Sequence, residues 1–106
     1  MEHPDKITIP LIHQTFVPEH DKFHGRILPR IKCWLAHIGE VAYLWGMGNK
    51  PYTKNGRTNY TCREHAAVEY GDLLYFTADI VWMITGIELP IVPESTLQRI
   101  WQKMAE

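Results

Sequence analysis

The chain has 106 residues, 45% of them apolar, and a formal net charge of −1 at pH 7. That length holds one domain with one core. The near-zero charge offers no global field for nucleic acid or an anionic membrane. No apolar run approaches the roughly 20 residues of a membrane-spanning helix, and the N-terminus lacks a basic region followed by an apolar core. A cytoplasmic protein is therefore expected. Cys33 and Cys62 are too few for a disulfide framework and have no metal-type spacing, which reads as two reduced thiols. Four Trp and five Tyr are many for this length, to be shared among core, interface and ligand stacking.

Residues 1–28 carry Pro4, Pro10 and Pro18 around short apolar pieces, Ile7-Thr8-Ile9 and Leu11-Ile12. Proline at this density excludes a long helix, and an extended arm along the domain or toward a partner subunit is expected. His3 and His13 have no partner at ligand spacing and read as bland. Residues 19–28 suit a short helical turn that Gly25 weakens and Pro29 ends or converts into the next helix.

The first strong helix is expected over residues 29–46. Ile31, Trp34, Leu35, Ile38, Val41, Ala42 and Trp45 recur at helical spacing. Pro29 suits the first helical position, and Gly46, Gly48 and Asn49 supply a stop. Residues 47–60 have no hydrophobic period and read as a loop. Lys50, Lys54 and Arg57 make it basic, which fits either a solvated connection or a phosphate-clamping loop.

A second strong helix follows over residues 62–85. Thr61-Cys62-Arg63-Glu64 has the form of a capping box, and Gly86 fits the stop. At about 1.5 Å per residue this helix is roughly 36 Å long and should be the spine of the fold. Pro90 and Pro93 hold a connector. Ser95-Thr96-Leu97-Gln98 reads as another capping box, opening a short helix with Leu97, Ile100, Trp101 and Met104 on one face. No convincing strand is expected.

The two main helices share a local pattern, His37-Ile38-Gly39-Glu40 and Glu69-Tyr70-Gly71-Asp72. Residues three apart on a helix share a face. Glycine inside a helix costs roughly 1 kcal/mol relative to alanine, and close helix approach is a reason to accept it. An antiparallel pairing would bring Glu40, Glu69, Asp72 and His37 into one small volume. Like charges in an apolar setting repel and are desolvated, and a divalent cation relieves both problems. An oxygen-rich set of this kind fits Mg²⁺ or Mn²⁺. A solvated acidic stripe is the simpler alternative for either motif alone.

Ile38-Gly39-Glu40-Val41-Ala42 together with Glu69-Tyr70-Gly71-Asp72-Leu73-Leu74-Tyr75 resembles the paired motifs of the MazG-like branch of the all-α nucleoside triphosphate pyrophosphohydrolases. The resemblance covers residues 29–105. It implies an all-α fold, with an antiparallel helical hairpin and a short third helix assembling into a four-helix-bundle-type homodimer or homotetramer. It implies that Glu40, Glu69 and Asp72 are catalytic metal ligands, with Asp79 also facing the site. In such enzymes divalent cations, Mg²⁺ or Mn²⁺, bridge a nucleoside triphosphate. Water attacks the α-phosphorus, and nucleoside monophosphate and pyrophosphate result. Lys50, Lys54, Arg57 and Lys103 become candidates to neutralise phosphates. Trp34, Trp45 and Tyr75 are candidates to stack on the base, with core or interface as the alternative.

The departure is His37, which stands where the family carries its first Glu. Imidazole is a poor Mg²⁺ ligand and a better one for Mn²⁺ and other transition metals. His37 can therefore change the metal, lower the number bound, contact phosphate, bond Glu69 or Asp72 structurally, or mark a site without turnover. The last option defines the competing expectation, a non-catalytic relative that binds nucleotide or metal or serves as an interaction module. His65, one turn before Glu69, could join the same face, but it reads rather as a surface residue of the capping turn.

Overall fold

The computed structural model describes residues 4–17, 27–54 and 56–106, with the backbone alone for 54 and 57–59. Among them lie four helices and a two-stranded sheet: α1 (Ile9–Phe16), α2 (Ile27–Met47), β1 (Pro51–Lys54), β2 (Arg57–Thr61), α3 (Cys62–Thr85) and α4 (Glu94–Ala105). The fold is mainly helical, and its frame is the antiparallel α2–α3 hairpin anticipated from the sequence.

The ends of α3 follow from local chemistry. The Thr61 hydroxyl accepts from the Glu64 backbone N–H at 3.1 Å, and the Thr61 N–H donates to Glu64 Oε1 at 3.0 Å. These bonds satisfy donors that the first helical turn leaves open. At the far end Gly86 takes φ 72°, a left-handed conformation that a side chain would oppose, and its N–H donates to the Trp82 carbonyl.

The N-terminal segment departs from the expected extended arm. Residues 9–16 are helical and dock on the domain, with Ile7, Ile9 and Ile12 joining Tyr75, Ala78 and Trp101 in the main core. The prolines permit this. Pro10 lies in the first turn, where no helical N–H is required, and Pro4 precedes the helix. Thr8 caps it by accepting from the Leu11 N–H at 3.2 Å. Phe16 packs edge-on against Trp101 with ring centroids 4.7 Å apart. The turn expected over residues 19–28 falls mostly outside the described residues, as does His3.

The stretch read as a loop contains an antiparallel hairpin, with Tyr52 opposite Tyr60 and a bulge between Tyr52 and Thr53. Gly56 adopts φ 75° in the turn. The hairpin is tied to the helices at its base, where the Cys62 N–H donates to the Lys50 carbonyl at 2.8 Å and the Arg63 N–H to the Gly48 carbonyl at 2.9 Å. Leu44, Cys62 and Ala66 form a second, smaller core beneath it, against which Tyr52 and Met47 pack.

The last helix starts one residue before the expected box. Pro93 occupies the cap position of α4 and makes no side-chain cap bond. Thr96 serves a different purpose: a Cβ placed on Gly71 would lie 2.6 Å from the Thr96 hydroxyl oxygen. Gly71 thus admits α4 against α3. Gly39 faces open space. The expected close contact between the α2 and α3 glycines is therefore not the reason for either one.

Candidate metal centre

Residues at i and i+3 carry the two motifs to facing positions of α2 and α3. Candidate ligand atoms of His37, Glu40 and Glu69 lie within 4.8 Å of one another. Ligands on opposite sides of one ion at about 2.1 Å span a little over 4 Å, so modest side-chain rotation would let them share a cation. His37 is half-buried; its Nδ1 bonds the Cys33 carbonyl at 2.7 Å and its Nε2 lies 3.1 Å from Glu69 Oε2. The carbonyl accepts, so Nδ1 carries the proton and Nε2 of a neutral ring presents a lone pair toward the cluster. That is the tautomer a metal ligand needs. One imidazole with carboxylates suits Mn²⁺ or a related transition ion better than Mg²⁺.

Glu69 is the pivot. Its second oxygen, Oε1, lies 3.3 Å from His65 Nε2. Desolvation pushes the Glu69 carboxyl above its usual range. Repulsion from Glu40 and Asp72 adds to the shift, and His37 and His65 oppose it. A carboxylate held this way gains from any added cation.

His65, expected at the surface, is buried against this pivot. Its ring stacks on Tyr52 with centroids 4.0 Å apart, and Tyr52 in turn stacks on Tyr60 at 5.6 Å. The hairpin therefore fixes the imidazole that contacts Glu69. Its position four residues before Glu69 was the available signal, since i and i+4 share a face. The hairpin that buries it had its own signal in Asn55-Gly56, a pair favoured in tight hairpin turns.

Asp72 lies beside the cluster but points its Oδ1 at Arg99 Nη2 on α4, at 2.5 Å. It is not one of the three residues whose ligand atoms converge. Asp79 is removed from the candidate metal set altogether. It is fully buried, its Oδ1 bonded to His13 Nε2 and its Oδ2 2.9 Å from Arg30 Nη1 in an ion pair without hydrogen-bond alignment. His13, expected to be bland, is thus buried with a carboxylate partner.

Of the expected phosphate contacts, Lys103 lines a cleft of about 250 Å³ next to the cluster. Arg30, His37, Asp72, Phe76 and Arg99 face the same cleft. Arg30 had a signal in its spacing, since it extends the stripe of His37 and Glu40 along one helix face, whereas Arg99 had none, because basic residues at helix surfaces are common. Lys50 is exposed beside the hairpin, away from that cleft's lining. The side chains of Lys54 and Arg57 lie outside the described residues. Trp34 is part of the helix–helix packing, its indole N–H donating to Thr77 Oγ1 at 2.8 Å. Trp45 is exposed, with the Arg63 guanidinium 4.5 Å above its ring.

No family model, curated protein or solved structure matches the chain.

Proposed function

We propose that this protein is a divalent-metal-dependent nucleotide pyrophosphohydrolase, converting a nucleoside triphosphate to the monophosphate and pyrophosphate. The observation that carries the reading is the convergence of His37, Glu40 and Glu69 from two antiparallel helices. The adjoining cleft, which combines Arg30, Arg99 and Lys103, supplies the complementary charge for a polyphosphate. The resemblance of the paired motifs to the MazG-like family supports the same chemistry.

In this reading His37, Glu40 and Glu69 hold the cation, Mn²⁺ or Mg²⁺, with Asp72 available as a further ligand. A bound cation would lower the pKa of water and absorb charge on the phosphoryl oxygens. A carboxylate of the cluster orients water for attack on the α-phosphorus and accepts its proton. The bond from that phosphorus to the α,β-bridging oxygen breaks, and pyrophosphate leaves. Cationic side chains in the cleft offset the charge of the leaving group.

Assembly into a homodimer or homotetramer is part of the proposal. Leu28, Ile31, Leu35, Ile38, Ala42 and Trp45 follow an alternating three–four spacing along α2. Leu28, Leu35, Ile38 and Trp45 are all exposed in the protomer. Such a seam is what a second helix covers in a bundle. Sedimentation showing only monomers at tens of micromolar would contradict this part.

The competing reading is a nucleotide-binding relative without turnover, favoured by His37 standing where the resembled family carries its first Glu. The test is pyrophosphate release from a panel of nucleoside triphosphates, with Mg²⁺ and Mn²⁺ in parallel. Release from one or a few of them supports the hydrolase. Binding without release from any, under either metal, leaves the non-catalytic relative.

A further inference from the structure

Glu69 meets a different imidazole at each oxygen, and the two rings play opposite parts. Oε2 lies 3.1 Å from Nε2 of His37 on α2, whose lone pair faces the cluster. Oε1 lies 3.3 Å from Nε2 of His65, one turn earlier on α3 itself. His65 Nδ1 is buried without a hydrogen-bond partner among the described residues. A proton on Nδ1 would leave a buried donor without an acceptor and would turn the Nε2 lone pair against the carboxylate. In the neutral ring the proton therefore sits on Nε2, with its positive end toward Oε1. The ring has little freedom to turn away. It stacks on Tyr52 with centroids 4.0 Å apart and lies 5.4 Å from the nearly parallel ring of Tyr60. Both tyrosines belong to the hairpin, where they stand opposite each other.

On the His37 side two lone pairs face each other, an arrangement that a cation reconciles. On the His65 side a donor faces an acceptor, and no cation is called for. We infer that His65 is a positioning residue: it commits Glu69 Oε1 to the imidazole and leaves Oε2 to the cation, so that Glu69 ligates through one oxygen and the site prefers a small transition ion such as Mn²⁺ to Ca²⁺. The inference rests on the reading of His37, Glu40 and Glu69 as cation ligands. Ca²⁺ takes about six to eight oxygen ligands and readily uses both oxygens of a carboxylate, whereas an ion that accepts imidazole loses little when one oxygen is withheld. His65 acts only through Glu69, as outer partners of metal ligands do when they fix a ligand's orientation. The hairpin enters the metal site by the same route, because Tyr52 holds the ring that holds Glu69.

The test is calorimetry with Mn²⁺ and, separately, Ca²⁺ on the whole chain, on His65→Phe and on His65→Gln, with circular dichroism to check the fold. Phenylalanine keeps the ring that stacks on Tyr52 and removes the donor. Glutamine gives up the stack but can still donate an amide N–H to a carboxylate four residues on. His65→Phe should lose about tenfold to a hundredfold in Mn²⁺ affinity. Its Ca²⁺ affinity should stay level or rise, since both oxygens of Glu69 become available. His65→Gln should keep more of the Mn²⁺ affinity and more of the preference over Ca²⁺. It also carries the test alone if the phenylalanine variant does not fold. Wild-type Mn²⁺ affinity and ion preference in His65→Phe, or an equal loss for both ions in both variants, overturns the positioning role while leaving the metal reading in place. Failure of the wild type to bind Mn²⁺ at all overturns both.

Discussion

His37 on α2 and Glu69 on α3 face each other, with Nε2 3.1 Å from Oε2. The imidazole relieves part of the repulsion that Glu69 suffers from Glu40 and Asp72. A glutamate at position 37 would add to that repulsion instead. His37→Glu should therefore melt at a lower temperature than the wild type in a chelator. It should gain more from added Mg²⁺, because a cation bound only by the folded state stabilises it. Turnover with Mg²⁺ should rise, since the donor set becomes all oxygen. Unchanged melting in chelator, together with reduced turnover, would show that the histidine has a role of its own in the reaction.

Glu69 gives a pH dependence with a definite sign. Its folded pKa is raised above the reference value of 4.5, so between these two values the folded state binds more protons than the unfolded one. Stability then falls as pH rises through that window, and the penalty is complete above the folded pKa. Glu69→Gln removes the charge. At pH 7 to 8 in chelator it should melt higher than the wild type, and the gap should close as pH falls toward 4.5. A gap that is independent of pH would mean that the carboxyl is not strained by its neighbours.

The two motif glycines should respond oppositely to alanine. At Gly71 the added methyl would meet the Thr96 hydroxyl, and displacing α4 should cost about 1–3 kcal/mol. At Gly39 nothing lies within 4 Å, and the better helix former should stabilise the protomer by about 1 kcal/mol. Chemical denaturation of both variants reads the two effects. Loss of stability in Gly39→Ala, together with loss of assembly, would place Gly39 in a subunit contact.

The helical frame was legible because its signals are local. The Thr61 box and Gly86 stop mark α3, and the His37 to Glu40 and Glu69 to Asp72 spacings put each pair on one face. The remainder depended on tertiary contacts. Nothing near His13 in sequence announces Asp79, 66 residues away. Proline density concealed α1, because Pro10 sits in the first turn, where a short helix tolerates it. Asp79 was misplaced because its helical register allows it to face the site, whereas burial beside His13 and Arg30 decides its partners. The glycines drew attention to the right segments for the wrong neighbour, Gly71 meeting α4 rather than α2.

Asp79 should matter for stability more than for chemistry. Replacing it with alanine leaves Arg30 and His13 without their buried acceptor, and breaking a buried ionic contact costs about 3–5 kcal/mol. Asp79→Ala should unfold at clearly lower denaturant concentration, yet retain Mn²⁺ binding at low temperature. Stability near that of the wild type, with loss of Mn²⁺ binding, would return Asp79 to the metal set.

The central claim is that Glu69 anchors a cation that cleaves a nucleoside triphosphate. The most direct measurement is Mn²⁺-dependent pyrophosphate release by the wild type and Glu69→Gln under identical conditions, with a chelator control. The account predicts release by the wild type that stops in chelator, and a loss of at least a hundredfold in Glu69→Gln, as expected when a reacting metal loses its pivotal ligand. Equal release by the two proteins, or none by a wild type that binds Mn²⁺, would contradict it.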